Sequence, residues 1–346
     1  MTTKTTCWCG NTILLNYSPD YALCDKCNSL VRKIWPDEEP ARVSAPDHFG
    51  RIPADLKEDE LRARLQKDMS TFIPRALGAL LKFCLPPASV FELGSAHGGF
   101  VAVLRAAGYN ATGFEAGASL AEFALKTFDV QSLGGAFESQ KIEKGSLDAL
   151  VALNSLERME NPAETMRLAL ELLKPGGILL LQTPCFESEK TFEELLLAEH
   201  PILPNFDEPQ RMRFFSTQSL EKFFHELGWN VSSEAPMTFG DYNMFAVVSQ
   251  GEVGILSQEE SEKTLETSLS GLLTLALVNA RATADEMQFH AEGRQKTIHE
   301  QTAGLENLRN IIQAQGAEVE MLRKVAQERL ELIQKLDEAL KNATRK

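Results

Sequence analysis

Apolar and polar positions divide the 346-residue chain into four stretches of different rhythm. Over residues 61–250, short apolar runs bounded by turn residues alternate with stretches of helical period. That alternation predicts an α/β domain with a largely parallel sheet. The expected strands are Ser89–Leu93, Ala111–Glu115, Ala149–Leu153, Gly177–Thr183, Trp229–Ser233 and Phe245–Ser249. Helices are expected at Gly99–Ala107, Ser119–Phe128 and Pro162–Leu173, the last stopped by Lys174-Pro175-Gly176-Gly177, which turns the chain into the next strand. Residues 1–35 carry a cysteine cluster among short β-like runs. Residues 36–60 form a linker rich in proline and acidic residues, which disfavours regular structure.

From about residue 258 there is no further proline, and 258–346 reads as one very long helix. Steps of seven from Leu277 reach Ala284, Ala291, Ile298, Leu305, Ile312, Val319, Ala326, Ile333 and Leu340, all apolar. The companion position, from Leu273 to Ala343, is interrupted by Arg294, Gln301, Gln315 and Arg329. Such a heptad seam predicts a coiled coil that self-associates, because an isolated rod cannot bury its own stripe. Dimer and trimer both stay open. So does a helix folded back on the preceding α/β domain.

The formal net charge of −14 disfavours general binding to a phosphate backbone. The longest apolar run, Leu269–Ala280, is too short for a transmembrane segment and contains Ser270, Gly271, Thr274 and Asn279. The first ten residues lack the apolar core of a signal peptide, so a cytoplasmic location is the expectation. Four of the six cysteines lie within the first 27 residues. Cys7-x-Cys9 and Cys24-x-x-Cys27 form two knuckles able to present four thiolates to a structural zinc ion, in a segment too small to bury a core. Four reduced thiols without metal are the alternative. Four thiolates would leave zinc no open position for chemistry. Cys84 and Cys185 are isolated and read as core thiols.

The segment Phe91-Glu92-Leu93-Gly94-Ser95-Ala96-His97-Gly98-Gly99 is a strand, a small-residue turn and a helix start. Such a turn brings backbone N–H groups close to a ligand at the carboxyl edge of a sheet. About twenty residues on, the next strand ends in Gly113-Phe114-Glu115, an acid placed to accept from ribose hydroxyls. A dinucleotide would call for G-x-G-x-x-G, which Gly94-Ser95-Ala96-His97-Gly98-Gly99 matches poorly.

Later segments narrow the choice. They are Asp148–Glu157, Asn161-Pro162, Leu173–Gly177, Thr183-Pro184 and Arg213-Phe214-Phe215-Ser216 with Leu227-Gly228-Trp229. In this order they resemble the class I S-adenosylmethionine-dependent methyltransferases over residues 88–250. The resemblance implies a Rossmann-like sheet domain at 61–250 with S-adenosylmethionine as cofactor. Glu92, Gly94, Ser95 and Gly98 would surround its methionine half, Glu115 would hold its ribose, and Gly135-Ala136-Phe137-Glu138 would line its adenine, with His97 and Asn154 also among the cofactor-binding residues. Many relatives have aspartate where Ala136 stands, and a middle glycine where Ala96 stands.

Where relatives of this branch often carry histidine, this chain has Arg158 and Arg211. With Arg213 these are candidate substrate-binding residues, since a guanidinium grips an anion but is no base at neutral pH. Surface ion pairs are the plain alternative. Glu157 and His200 are the candidate bases. His97 is expected to order the cofactor.

A cysteine knuckle before such a domain resembles bacterial sugar methyltransferases, and a coiled-coil tail resembles enzymes that cap lipopolysaccharide O-antigen chains. The implied function is O-methylation of a sugar or surface polysaccharide terminus, anionic or phosphorylated. A glycan-assembly protein would be a partner, and the enzyme would sit peripheral to the inner membrane. The alternatives are a C-methyltransferase of a nucleotide-linked sugar and a catalytically silent coiled-coil scaffold.

Overall fold

The computed structural model describes residues 6–33, 57–135, 137–208, 210–232 and 243–343. Most of the expected linker, Ala136 and the end of the Trp229–Ser233 run lie outside the described residues. In chain order, β1 (Leu14–Asn16), β2 (Tyr21–Cys24) and β3 (Leu30–Arg32) precede helices α1 (Glu58–Ser70) and α2 (Phe72–Leu81). Then come β4 (Ser89–Leu93), α3 (Gly99–Ala106), β5 (Asn110–Phe114), α4 (Ala118–Phe128), β6 (Ser132–Leu133) and β7 (Leu147–Leu153). The second half holds α5 (Pro162–Leu170), β8 (Leu173–Pro184), α6 (Phe192–Leu197), α7 (Leu203–Phe206) and β9 (Arg213–Phe214). It closes with α8 (Thr217–Glu226), β10 (Asn230–Ser232), β11 (Asn243–Ser249), α9 (Gln258–Leu265) and α10 (Leu269–Ala343).

The main sheet has seven strands in the order β10-β11-β8-β7-β4-β5-β6. β6, β5, β4, β7 and β8 run parallel; β11 is antiparallel to β8, and β10 antiparallel to β11. Side chains alternate between the two faces, each covered by helices. Leu150, Ala152, Leu179 and Leu181 join Met166 and Leu170 of α5 and Phe223 and Phe224 of α8 in one core. Ala149, Val151, Ile178 and Leu180 join Leu77 of α2 and Leu104 of α3 in the other. Strand order reverses direction at β4, so the crevice beyond the carboxyl ends of β4 and β7 is where a doubly wound sheet binds ligand.

The Lys174–Gly177 turn proves to be part of β8. Lys174 Nζ pairs with Asp148 at 2.7 Å, and the ladder to β7 shifts register between Leu147 and Ala149. Gly177 is needed there, because a Cβ would lie 3.0 Å from the Lys174 carbonyl oxygen and 3.2 Å from two others.

A second, four-stranded sheet has the order β1-β2-β3-β9. The cysteine segment is therefore completed by a strand from the far side of the chain, with Val31 opposite Arg213 and Leu30 opposite Phe214. Behind it Tyr21, Leu30, Phe186, Leu195, Ile202, Phe206 and Phe214 form a separate aromatic core.

The tail is two helices rather than one. Ser268 interrupts it, its carbonyl accepting from Leu272 N–H and its hydroxyl from Gly271 N–H. Gly271 passes so close to the Leu265 carbonyl that a Cβ would sit 1.9 Å from the oxygen. The chain divides into Met1–Thr283 and Ala284–Lys346. Within the first unit Leu275, Leu277 and Val278 pack against the core under α2, so the first heptad residue serves the catalytic domain. In the second unit Ile298, Leu305, Ile312, Val319, Ile333 and Leu340 are exposed. No described helix is long and apolar enough to cross a membrane.

Candidate active site

A cleft of about 640 Å³ opens at the carboxyl ends of β4, β5 and β7. Of the residues singled out from the sequence, Glu92, Gly94, Ser95, His97, Glu115, Asn154, Arg158 and Arg211 line it. Its floor is the turn after β4. The amides of Gly94 and Ser95 donate to the Phe114 carbonyl at 2.9 and 2.8 Å, tying that turn to β5. Gly94, Ala96 and Gly98 all have positive φ, at 82°, 47° and 74°. Gly98 also passes Ala124 so closely that a Cβ would lie 2.6 Å from that residue's own. It starts α3 and does not itself line the cleft. Ala96 adopts a left-handed conformation that favours glycine.

Glu115 fixes the same turn. Its Oε2 accepts from Ala96 N–H at 2.7 Å and its Oε1 from Gly117 N–H at 2.8 Å. Each oxygen keeps lone-pair capacity toward the cleft. Glu92 is buried beside it, and burial, helped by the Glu115 charge, pushes its carboxyl up to about 8. Glu92 Oε2, Asn154 Oδ1 and Gln182 Oε1 all line this cleft, are buried, and have no hydrogen-bond partner among the described residues. Orphaned buried acceptors are rare and call for donors. A ligand bearing an ammonium group and hydroxyls supplies those donors, and its positive charge relieves the Glu92–Glu115 repulsion. S-adenosylmethionine fits both requirements.

His97 is buried. Its Nδ1 accepts from Gly99 N–H at 3.1 Å, which leaves Nε2–H to donate to Asp68 Oδ2 at 2.8 Å. This pins α1 onto the turn after β4. Phe137 lies inside the core against Phe91 and Phe114, and does not line the cleft.

On the opposite wall one carboxylate joins two arginines. Glu208 Oε2 accepts from Arg158 Nη2 at 2.9 Å and Arg211 Nε at 3.1 Å, and Oε1 accepts from Arg211 Nη2 at 3.2 Å. Gln210 also accepts from Arg158, and Asn205 from Arg211. Arg64 and Lys67 of α1 and Arg75 of α2 line the same cleft, with Asp68 of α1 within 3.7 Å of Arg64.

Arg213 is fully buried and clamps the carbonyls of Met159 and Glu160; it does not line the cleft. Glu157 stands behind Arg158. It accepts from Thr183 Oγ1 at 3.1 Å, and burial holds its carboxyl above the usual range, against the pull of Arg211 and Arg158. His200 faces Glu187 at 3.4 Å, away from the cleft, while its neighbour Pro201 lines it. Asp68, Gln182 and Glu208 were not singled out from the sequence. Asp68 sits in an ordinary charged helix and Gln182 in an apolar strand run, so only tertiary neighbours give them meaning. Glu208 lies three residues before Arg211, a spacing that could have flagged it.

The sulfurs of Cys7, Cys9, Cys24 and Cys27 all lie within 4.8 Å of one another. Cys7 and Cys27 are 3.4 Å apart and Cys9 and Cys24 3.6 Å. Tetrahedral zinc with bonds near 2.3 Å requires about 3.8 Å between sulfurs, so the donor set is compatible with that ion. Gly10, at φ 77°, closes the first knuckle, and Asn11 Nδ2 donates toward Cys24 Sγ at 3.4 Å.

A family model described as a methyltransferase domain matches residues 61–234. No curated protein matches the chain. Among solved structures, a chain of the complex containing the Haloferax volcanii methyltransferase activator Trm112 is 15% identical with a TM-score of 0.43, covering 56% of this chain and 95% of its own. The mitomycin 7-O-methyltransferase is 15% identical with a TM-score of 0.43, covering 56% of this chain and 59% of its own. The carbon methyltransferase of CurJ is 18% identical with a TM-score of 0.38, covering 54% and 55%.

Proposed function

The chain belongs to the methyltransferase-domain family, as a Rossmann-like enzyme dependent on S-adenosylmethionine, and from that premise we propose that it O-methylates a sugar or glycan terminus bearing an anionic group. The observation that carries the acceptor class is the pair Arg158 and Arg211, both lining the cleft and both already holding a carboxylate, that of Glu208. A phosphate or sugar-acid carboxylate offers the same paired acceptors to the same guanidinium groups.

When bound, the cofactor supplies an electrophilic methyl group on its sulfonium. Glu92, Asn154 and Gln182 offer acceptors to its donors, and Glu115 stands at the β5 tip for the ribose. The acceptor-side carboxylates Asp68 and Glu208 are engaged by His97 with Arg64 and by the two arginines. His97 Nε2–H is held by Asp68 and is not poised to take a proton. An acceptor oxygen that is already anionic needs no base, and alignment in line with the sulfur–methyl bond supplies most of the catalysis. A hydroxyl acceptor would instead call on a carboxylate of this wall to take its proton, because Glu157 is fully buried and does not line the cleft.

The four cysteines hold a structural zinc ion in this reading, and the exposed seam of α10 joins copies of the chain. The direct test is incubation with cofactor carrying a ¹³C methyl group and a panel of phosphorylated sugars, sugar acids and nucleotide sugars. A new O–CH₃ or phosphate-ester methyl resonance, absent for neutral sugars, supports the proposal. A C–CH₃ resonance would make the enzyme a C-methyltransferase, and transfer to neutral sugars alone would overturn the anionic acceptor.

A further inference from the structure

Several hydrogen bonds from the cysteine sheet end on one short segment of the acceptor wall, residues 208–214, while others join the sheet to Lys190, Ser216 and Lys222. Tyr21 Oη donates to the Arg211 carbonyl at 2.8 Å. Arg32 Nη1 donates to the Glu208 carbonyl at 3.0 Å and to Tyr21 Oη at 2.9 Å. The Arg32 amide donates to the Met212 carbonyl at 2.8 Å, and β3 pairs with β9 immediately after. Tyr21 itself is fully buried between the rings of Phe206 and Phe214, so its hydroxyl has little freedom to wander.

The same segment carries the arginine on the other arm. Met212 N–H donates to the Glu157 carbonyl at 2.9 Å, and Arg213 grips the carbonyls of Met159 and Glu160. Arg158 lies between those anchor points. Glu208 and Arg211 therefore lead into a strand whose sheet neighbour is β3, with the next residue, Phe215, bridged to Cys185. Arg158, which follows β7, meets the same segment through Glu208 and the Met212 and Arg213 contacts. In turn β3 starts three residues after Cys27 and β2 ends on Cys24. Ser29, between Cys27 and β3, accepts from Trp8 Nε1 at 2.8 Å, and the Cys24 amide donates to the Ser29 carbonyl at 2.9 Å. The four cysteines are thus connected to the acceptor wall through a few hydrogen bonds, while the turn after β4 has no such contact among the described residues.

We propose that the N-terminal cysteine sheet is the positioning element of the acceptor wall, with Tyr21 and Arg32 as positioning residues that set the placement of Arg158, Glu208 and Arg211. This rests on the reading of those arginines as the acceptor's anion site, but concerns how they are held rather than what they bind. Loosening the cysteine sheet weakens the hold on the acceptor and leaves the cofactor side unchanged.

Hydrogen–deuterium exchange on the full chain tests it, comparing the zinc-loaded protein, the protein stripped by a chelator under reducing conditions, and Tyr21→Phe. Peptides covering 208–216 should exchange about fivefold faster in Tyr21→Phe, the effect of one lost hydrogen bond, and more than that without metal, while peptides covering 92–99 keep their rate. Affinity for inorganic phosphate should fall by a similar factor in Tyr21→Phe, with affinity for S-adenosylmethionine unchanged. Equal acceleration of both peptides would mean that the sheet only stabilises the fold, and an unchanged 208–216 peptide would also overturn the proposal. If the stripped chain unfolds, Tyr21→Phe decides alone. Absence of phosphate binding to the unaltered chain would count against the anionic acceptor, and the exchange pattern would still judge the positioning claim.

Discussion

The buried carboxyl of Glu92 should make both stability and cofactor affinity depend on pH, in opposite senses. Folded, its proton is held up to about pH 8 by burial and by Glu115. Unfolded, it titrates near 4.3. Between these values the folded chain keeps a proton that the unfolded chain has released, so this group's contribution to stability falls as pH rises through the window. At about 1.4 kcal/mol per pH unit, the loss from pH 4.5 to 8 reaches about 5 kcal/mol as an upper value. Glu92→Gln has no charge to lose. It should match the unaltered chain at pH 5 and be more stable by several kcal/mol at pH 8.5, measured by urea unfolding. The ligand reverses the sign. If the cofactor's cation binds the ionised form, its dissociation constant should tighten roughly 25-fold from pH 6.0 to 7.5, and calorimetry in two buffers at pH 7 should show release of close to one proton. The glutamine variant should bind weakly with no such release. Parallel stability curves for the two proteins over pH 5–8.5, together with a pH-independent dissociation constant, would refute the reasoning.

Other substitutions probe the rest of the site and the tail. Ala96→Gly removes a left-handed alanine at φ 47° and should stabilise the chain by about 1 kcal/mol, a rise of roughly 2–4 °C in Tm by calorimetry. Glu208→Gln frees Arg158 and Arg211 from their internal carboxylate and should tighten inorganic phosphate about tenfold, whereas Arg211→Met should abolish that binding. Placing aspartate at both Ile312 and Val319, two exposed seam positions, should leave the catalytic domain folded and reduce the sedimenting species to a single chain.

Much of the sheet was legible because buried parallel strands are short apolar runs. Ser89–Leu93 is found with the expected bounds, and the runs at Ala149 and Phe245 extend by two residues toward their N-termini. The small-residue turn after β4 is equally visible, since a tight strand-to-helix turn with positive φ demands such residues. What escaped depends on contacts across long separations. Pairing of Val31 with Arg213 leaves no local trace, so the cysteine segment read as a separate ribbon rather than three strands of a sheet completed by β9. Arg213 resembles Arg158 and Arg211 by residue type alone, yet its guanidinium is spent on carbonyls of the loop that carries Arg158. The break before α10 likewise turns on the approach of Gly271 to Leu265, which a heptad count cannot register.

The central claim is that the turn after β4 and the carboxylate at the tip of β5 hold S-adenosylmethionine. Calorimetric titration of the full chain with that cofactor, beside Glu115→Ala, addresses it most directly. One site per chain of micromolar-range affinity is expected, weakened at least tenfold in a variant that remains folded. An unaltered chain that gives no binding signal, or a folded variant that binds as tightly as the original, would contradict it.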